Sequence, residues 1–356
     1  MNANSLQQGF NPAEKYQSQI PAVQTLVALG FQPLSQGQVD QLRGKTRSVI
    51  LDDIVMEQML KLNSYSYRGK SYAFDLEDAH EALRRLKPTP DKLKGLKGTS
   101  QDIYDLLVLG TTISKAIEGD SKSYSFKYID WETPENNVFH VTAEMSVERT
   151  ASPATRRCDI VCFVNGIPFI VIENKRPTES LKKADSQLIK YQFEDNIPQL
   201  FHYAQLLMSM KRQEARYATV GTPRKFWQIW RDEEDQDADI TAAINRPLTA
   251  EEKNAVFSGD LADARVFFEE LAAGGERSIS EQDRAIYAMC RPARLLDLVR
   301  RFTVFDGGVR KIARHQQFFS IRIALARLKG FDLEGRRKGG VIWHTQGSGK
   351  SLTMVM

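Results

Sequence analysis

Two apolar runs joined by Asn165-Gly166 constrain the fold of this chain more than any other feature of its sequence. They form the stretch CDIVCFVNGIPFIVIENK, residues 158–175. Strands that are covered on both faces read as nearly continuous apolar runs, and Asn-Gly is typical of a tight hairpin turn. The stretch therefore predicts two adjacent strands at the centre of an α/β sheet.

Amphipathic patterns on both sides of this hairpin predict helices. Before it, apolar residues recur near helical spacing through residues 14–62. The Lys-, Pro- and Gly-rich segment 87–98 predicts a solvated linker, with a basic loop over DNA as the alternative. After the hairpin, residues 180–195 and 198–212 predict two amphipathic helices, and KFWQIW (225–230) predicts a later strand.

Length and charge limit the class of protein. A chain of 356 residues suggests two domains, and 42% hydrophobic with 26% charged residues excludes collagen-like, coiled-coil and wholly disordered chains. The 49 Lys and Arg against 45 Asp and Glu leave a net charge of +4, which is too weak to imply nucleic acid by itself. If a phosphate backbone is the partner, the positive charge must be concentrated locally.

The cysteine and histidine pattern favours a reducing compartment. The three cysteines form no CxxC motif, and the five histidines do not fall at zinc-ligand spacing around them. A disulfide framework or structural zinc is therefore not expected. The sequence also lacks a signal-peptide pattern and any apolar run approaching the roughly 18 residues of a membrane span. We expect a cytoplasmic, soluble protein.

The polar residues at the ends of the apolar hairpin are the strongest candidates for chemistry. Asp159 opens one apolar run, whereas Glu173 and Lys175 close the other and share a strand face. Buried charges are costly unless they are compensated. Two converging carboxylates suit Mg²⁺, which could acidify a water and neutralise a phosphate while the lysine orients or deprotonates that water. The alternative is a structural salt bridge to Lys175 at a sheet edge.

The register of the hairpin decides whether these carboxylates meet. A strict two-residue turn pairs position 159 with position 172, which places Asp159 and Glu173 on opposite faces. One extra residue in the ladder brings them opposite each other. Pro168 cannot donate a ladder hydrogen bond and sits where such an irregularity is plausible. The sequence allows the site but does not force it.

The segment RRCDIVCFVNGIPFIVIENKRP resembles the nuclease core of the PD-(D/E)xK superfamily and, more closely, the motor and cleavage (R) subunit of type I restriction endonucleases. The family usually has proline before the aspartate, where this chain has Cys158. The resemblance implies a mixed central sheet flanked by helices, with Asp159 and Glu173 as Mg²⁺ ligands and Lys175 as a catalytic residue. The family's Gln-x-x-x-Tyr signature follows as Gln187 and Tyr191, which could brace the sheet or contact DNA.

A second motif lies near the end of the sequence. Residues 341–344 predict a buried strand, which a glycine-rich turn and Lys350-Ser351 follow, as in a phosphate-binding loop. The strict pattern has glycine where this chain has His344. The run resembles motif I of superfamily 2 translocases, which implies that ATP contacts Thr345, Gly347, Ser348, Gly349, Lys350 and Ser351. The alternative is a glycine-rich turn with a solvated lysine.

A glutamine upstream supports the motor interpretation. The run RHQQFFSI resembles the segment where such motors read adenine, and alignment with the family favours Gln317. The sequence ends six residues after Lys350, so we expect only the truncated beginning of a RecA-like domain. Residues from about 339 onward are expected to pack poorly.

The predicted organisation is an endonuclease domain (1–245), a helical connector (246–300) and the start of the first motor domain (301–356). The resemblance implies a Mg²⁺-dependent endonuclease within an ATP-dependent enzyme that cleaves unmodified DNA. Its partners would be double-stranded DNA and the methylation and specificity subunits. Two other interpretations stay open: a free-standing RecB-like nuclease and a non-catalytic DNA-binding fragment.

Overall fold

The computed structural model describes residues 15–232, 236–343 and 349–356. The strands are β1 (Gln32–Pro33), β2 (Ser64–Tyr67), β3 (Lys70–Ala73), β4 (Thr111–Ile117), β5 (Asp120–Phe126), β6 (Phe139–Glu148), β7 (Thr155–Val164), β8 (Ile167–Asn174), β9 (Leu206–Lys211), β10 (Glu214–Ala218), β11 (Thr303–Asp306) and β12 (Val309–Ile312). The helices are α1 (Ile20–Ala28), α2 (Gln36–Arg43), α3 (Asp52–Leu62), α4 (Leu76–Leu86), α5 (Gly95–Leu109), α6 (Lys182–Tyr191), α7 (Pro198–Phe201), α8 (Asp237–Ile244), α9 (Ala250–Val256), α10 (Ala264–Ala273), α11 (Glu281–Cys290), α12 (Pro292–Arg301), α13 (His315–Lys329) and α14 (Lys350–Val355).

A six-stranded mixed sheet forms the centre of the fold, in the order β1-β6-β7-β8-β9-β10. The outer pair β1–β6 and the inner pair β8–β9 are parallel, and the other neighbours are antiparallel. Helices α1 and α11 contact one another, and α6 contacts β8 and β9. The predicted mixed sheet flanked by helices is confirmed.

The apolar hairpin forms the two central strands, β7 and β8. Every residue of β8 is buried, as are residues 158–164 of β7, because neighbouring strands and helices cover both faces. Asn165 and Gly166 make the turn with φ of 50° and 79°. The Asn165 side chain accepts a hydrogen bond from the Val138 amide and donates one to the Tyr128 carbonyl, which anchors the turn to the preceding segment.

The hairpin contains the extra residue on which the candidate site depends. Next to the turn, Val164 pairs with Ile167 and Phe163 with Pro168, as a two-residue turn requires. The next pair is Cys162 with Ile170, so the register shifts by one residue and Phe169 has no partner position in the ladder. Continuing the shifted ladder places Asp159 opposite Glu173. The irregularity directly follows Pro168, which has no amide hydrogen to donate. The Phe169 carbonyl accepts a hydrogen bond from the Gln205 backbone amide, in line with the pairing of β8 with β9.

Two predicted elements after the hairpin are wrong. Residues 198–212 do not form one helix: α7 ends at Phe201, and Leu206–Lys211 forms β9, parallel to β8. A short apolar run such as LLMSM suits a doubly covered strand as well as a helix, so its period alone does not separate them. KFWQIW contributes only an isolated bridge between Gln228 and Tyr217, not a strand.

The segments after residue 245 pack against the central sheet. Helix α11 contacts β9 and β10, and the Cys290 thiol lies 3.7 Å from the Met208 sulfur. The Tyr217 hydroxyl donates to the Ala313 carbonyl, which joins β10 to the segment before α13. One hydrophobic cluster therefore includes residues from Ile20 to Ile321.

The described residues near the end of the chain pack poorly, as predicted. Val341, Ile342 and Trp343 are 91%, 54% and 89% exposed, and they lie in no strand. The prediction of a buried strand there is wrong for these three residues, because a strand is buried only where neighbouring strands and helices cover it. His344, Thr345, Gly347 and Ser348 lie outside the described residues.

Within the described ranges, no helix is long and apolar enough to cross a membrane.

Gly166 provides a test of how tightly the hairpin turn is held. A Cβ at Gly166 would lie 2.7 Å from the Leu51 carbonyl oxygen and 2.9 Å from Val55 Cγ2. Gly166→Ala should therefore lower the free energy of unfolding by about 2–4 kcal/mol, from the positive φ and the clash together. Urea unfolding measures this. Gly119→Ala is the matched control: Gly119 occupies an equivalent turn with φ of 85° and open space around it, so its loss should be about 1 kcal/mol. Equal losses would show that the contact with α3 does not matter.

Candidate active site

Asp159 and Glu173 lie on adjacent central strands and are 9% and 0% exposed. The Asp159 carboxylate accepts a hydrogen bond from the Asn174 amide, Oδ2 to N 2.6 Å. This bond crosses from β7 to the residue after Glu173, so it holds the two carboxylate-bearing segments together. Such a charge-assisted bond also orients the aspartate.

Lys175 lies on the same strand face as Glu173. Its Nζ donates to Glu173 Oε1 at 3.0 Å and to the Asn174 carbonyl at 2.6 Å, and its amide donates to the Met210 carbonyl. The ion pair is buried beside a central strand, not at a sheet edge as the salt-bridge alternative assumed. Because desolvation offsets much of the attraction in a buried pair, stability alone is a weak reason for placing one here.

A third carboxylate, Glu144, lies beside this pair, and the sequence reasoning missed it. Glu144 lies on β6 between Ala143, which pairs with Ile160, and Met145, which pairs with Cys158. This register places Glu144 opposite Asp159. Its φ is 59°, which is rare for a residue with a side chain, and it is 8% exposed. The Gln19 amide nitrogen donates to both Glu144 Oε1 and the Asp159 carbonyl, and Arg157 Nε lies 2.5 Å from Glu144 Oε2.

The buried Cys158 thiol lies near all three carboxylates. Burial raises the pKa of the Cys158 thiol well above its usual range, and the negative charges of Glu173, Asp159 and Glu144 raise it further. Cys158 therefore stays a neutral thiol at neutral pH. It occupies the position before the aspartate as a packing residue.

The Gln187–Tyr191 pair lies directly against β7. Gln187 Nε2 donates to the Tyr191 hydroxyl at 2.7 Å, and that hydroxyl donates to the Arg157 carbonyl at 3.2 Å. Burial raises the pKa of Tyr191, and so does the nearby charge of Glu173. Tyr191 is thus anchored two residues from Asp159, whereas Gln187 is partly exposed at the surface.

A buried polar network reaches this centre from the predicted connector. Ser18 donates to Gln282 Oε1 at 2.6 Å, and Gln282 Nε2 donates to the Ser18 carbonyl at 2.8 Å. Asn174, between Glu173 and Lys175, donates its side-chain amide to the Ser18 hydroxyl at 2.8 Å. Helix α11 therefore braces the strand end that carries the candidate catalytic residues. The sequence offered no signal for this contact, because Gln282 is distant in the chain and follows no motif.

The donor set fits a hard divalent cation. Among the described residues, no group of three or more His, Cys, Asp and Glu side chains is arranged to hold a metal ion. The predicted pair, Asp159 and Glu173, offers carboxylate oxygens, the ligands that Mg²⁺ prefers in combination with waters.

The chain matches the family described as Type I restriction enzyme R protein N terminus over residues 11–226. This chain belongs to that family. The predicted resemblance to the restriction R subunit is thereby confirmed. The matched residues contain Glu144, Asp159, Glu173, Lys175 and the Gln187–Tyr191 pair, whereas Gln282 lies beyond them.

Curated relatives of the same kind match most of the chain. The Type I restriction enzyme HindI endonuclease subunit of Haemophilus influenzae is 26% identical over 303 residues, which cover 79% of this chain and 25% of the relative. The Type I restriction enzyme SauCOLORF180P endonuclease subunit of Staphylococcus aureus is 22% identical over 277 residues, or 74% of this chain and 25% of the relative. The chain thus spans about a quarter of their length.

Residues 316–356 match the SWI2/SNF2 ATPase family. Of the predicted nucleotide-binding residues, the structure describes Gln317, Gly349, Lys350 and Ser351. Gln317 Nε2 donates to the Gly349 carbonyl at 3.0 Å, so this glutamine does lie beside the loop. Lys350 begins α14 and is exposed. Thr345, Gly347 and Ser348 lie outside the described residues.

Gln282 tests whether the α11 contact stabilises the centre. Gln282→Met keeps the side-chain size and removes the polar atoms, which leaves Ser18 and Asn174 without their partner. We expect the free energy of unfolding to fall by about 1–3 kcal/mol. Chemical denaturation gives this value. Gln228→Met is the control: the Gln228 side chain donates a solvent-exposed hydrogen bond to the Phe226 carbonyl, so this change should alter stability by less than about 0.5 kcal/mol. A Gln282 variant as stable as wild type would contradict the bracing role.

Proposed function

We propose that Asp159, Glu173 and Lys175 form a Mg²⁺-dependent centre that hydrolyses DNA phosphodiesters within an ATP-dependent type I restriction enzyme acting on unmodified DNA. The shifted register of the β7–β8 hairpin carries this proposal, because it alone brings Asp159 and Glu173 onto one face. Membership of the restriction R family and relatives named as endonuclease subunits support it.

Each residue has a distinct role in this proposal. Asp159 and Glu173 would hold the cation, which when bound would neutralise charge on the phosphate. The Asn174 amide fixes the rotamer of Asp159 through its 2.6 Å bond. Lys175, held by Glu173 and the Asn174 carbonyl, places an ammonium group where it can orient the attacking water and take part in its deprotonation. Tyr191 and Gln187 brace β7 behind the centre, or bind DNA with it.

The remaining assignments extend this proposal to the whole enzyme. The boundaries near residues 245 and 300 would separate the endonuclease domain, connector and beginning of a RecA-like motor. ATP would bind at Gln317 and the loop 345–351, which the SWI2/SNF2 match supports. Partners would be double-stranded DNA and the methylation and specificity subunits, in the cytoplasm.

Conservative substitutions test the catalytic assignments. Asp159→Asn, Glu173→Gln and Lys175→Met should each reduce DNA cleavage by an assembled complex by at least about 100-fold, because each removes a charge that the reaction requires. Tyr191→Phe and Gln187→Ala should reduce it less, because these residues position the centre. Cleavage of plasmid DNA is the measurement. Glu148→Gln, further along β6, is the control and should leave cleavage unchanged.

The fold of each variant is checked by its far-UV spectrum and unfolding midpoint. Wild-type cleavage by a folded Asp159, Glu173 or Lys175 variant would remove that residue from the centre. Cleavage by the chain alone, without ATP or other subunits, would instead favour a free-standing RecB-like nuclease. If no assembled complex cleaves the DNA, including the complex with the wild-type chain, the result would favour a non-catalytic DNA-binding fragment.

The motor segment gives a separate prediction. The described residues of 339–356 are mostly exposed, and phosphoryl transfer requires a packed loop together with further positioning groups. Purified 356-residue chain should therefore release no phosphate from ATP that depends on Lys350. The test compares it with Lys350→Ala in a phosphate-release assay. Turnover that disappears in the variant would show that this segment is already a working ATPase.

A further inference from the structure

A concave surface beside the candidate centre concentrates positive charge. It has a volume of about 640 Å³ and is lined by nine residues of α6, the start of β7 and nearby loops. Five of the nine are basic and none is acidic. These five residues define the basic groove: Arg156, Lys182, Lys183, Lys190 and Arg224. The net charge of the whole chain is only +4, so a polyanionic partner requires a place where positive charge is concentrated. The basic groove is such a place.

Most cations of the basic groove form no ion pair with another described residue. In the parts of the chain that the structure describes, only Lys183 is paired, with Glu179 at 3.7 Å on the surface. Arg156 instead donates to the Asn196 side chain, and Arg224 to the Ser186 hydroxyl at 3.4 Å. Lys182 and Lys190 are exposed, and neither forms an ion pair with a carboxylate in the described parts of the chain.

Helix α6 presents these groups as two parallel rows. Residues four apart lie on one helix face, and the rows are Lys182-Ser186-Lys190 and Lys183-Gln187-Tyr191. The rise from Lys182 to Lys190 is roughly 12 Å at about 1.5 Å per residue. One strand of a duplex carries a phosphate per roughly 3.4 Å of axis. The row from Lys182 to Lys190 is therefore about as long as three to four nucleotides of one DNA strand.

The second row leads from the basic groove to the candidate centre. Tyr191 lines the groove and donates its hydroxyl to the Arg157 carbonyl, two residues before Asp159. A phosphate chain lying along α6 would thus pass next to the strand end that carries the carboxylates. We propose that the basic groove binds the phosphate backbone of duplex DNA and guides it to the centre; this rests on the proposed nuclease function.

The test measures DNA binding separately from cleavage. The 356-residue chain is titrated with a 30-base-pair duplex in EDTA, at several salt concentrations. The triple variant Lys182→Ala/Lys183→Ala/Lys190→Ala should bind at least about tenfold more weakly. The slope of log affinity against log salt concentration is negative, and it should become less steep by about 0.9 for each phosphate contact removed. For the triple variant this is roughly 2–3 in all. The control removes three exposed lysines outside the groove, Lys61, Lys70 and Lys122, and should leave the slope unchanged.

The outcomes separate the basic groove from the catalytic proposal. An unchanged slope and affinity in the folded triple variant would overturn the groove, even if Asp159→Asn abolished cleavage. Weakened DNA binding together with normal cleavage by Asp159→Asn would support the groove and remove the catalytic assignment. Equal weakening by the control variant would show that only total charge matters, which also overturns it. Loss of binding to another subunit with DNA affinity intact would assign the surface to a protein partner instead.

Discussion

One residue outside the β7–β8 ladder, Phe169, sets the geometry on which the candidate centre depends. In a strand, a shift of one residue moves every following side chain to the other face. Without the irregularity, Asp159 and Glu173 would point to opposite sides of the sheet. With it, they face each other across two buried strands, and Lys175 follows on the same face. The Phe169 carbonyl accepts a hydrogen bond from the Gln205 backbone amide, on the side of the strand that faces β9.

The cost of burying several charges explains the surroundings of this centre. Each carboxylate has a specific compensating group: the Asn174 amide for Asp159, Lys175 for Glu173, and Arg157 with Gln19 for Glu144. Such polar networks are stable only when most members are satisfied. This requirement draws distant segments together, since Gln19 belongs to the N-terminal helical region and Gln282, which bonds Ser18 beside it, belongs to α11. Residues of the predicted connector therefore help to support the candidate centre.

The distribution of charge connects the centre with its proposed substrate. Negative side chains lie inside the sheet, where they suit a divalent cation, and positive side chains lie outside it along α6, where they suit phosphates. Tyr191 joins the two regions through the Arg157 carbonyl. A near-neutral chain can in this way bind a polyanion, because association depends on the local field and not on the net charge.

The sequence by itself determined the central hairpin, its Asn-Gly turn, the residue types of the centre and the family, because buried strands and short motifs are local patterns. It did not determine the register, which depends on where the ladder accommodates Pro168, nor the strand Leu206–Lys211, whose apolar period suits a helix equally well. Glu144 lay in an alternating run and could have been noted as a polar-face residue. Its position opposite Asp159 follows only from the pairing of β6 with β7. Ser18 and Gln282 are 264 positions apart, and the basic groove joins β7, α6 and a later loop. Only the tertiary structure brings such residues together, because burial and hydrogen bonding act on neighbours in space and not on neighbours in the chain.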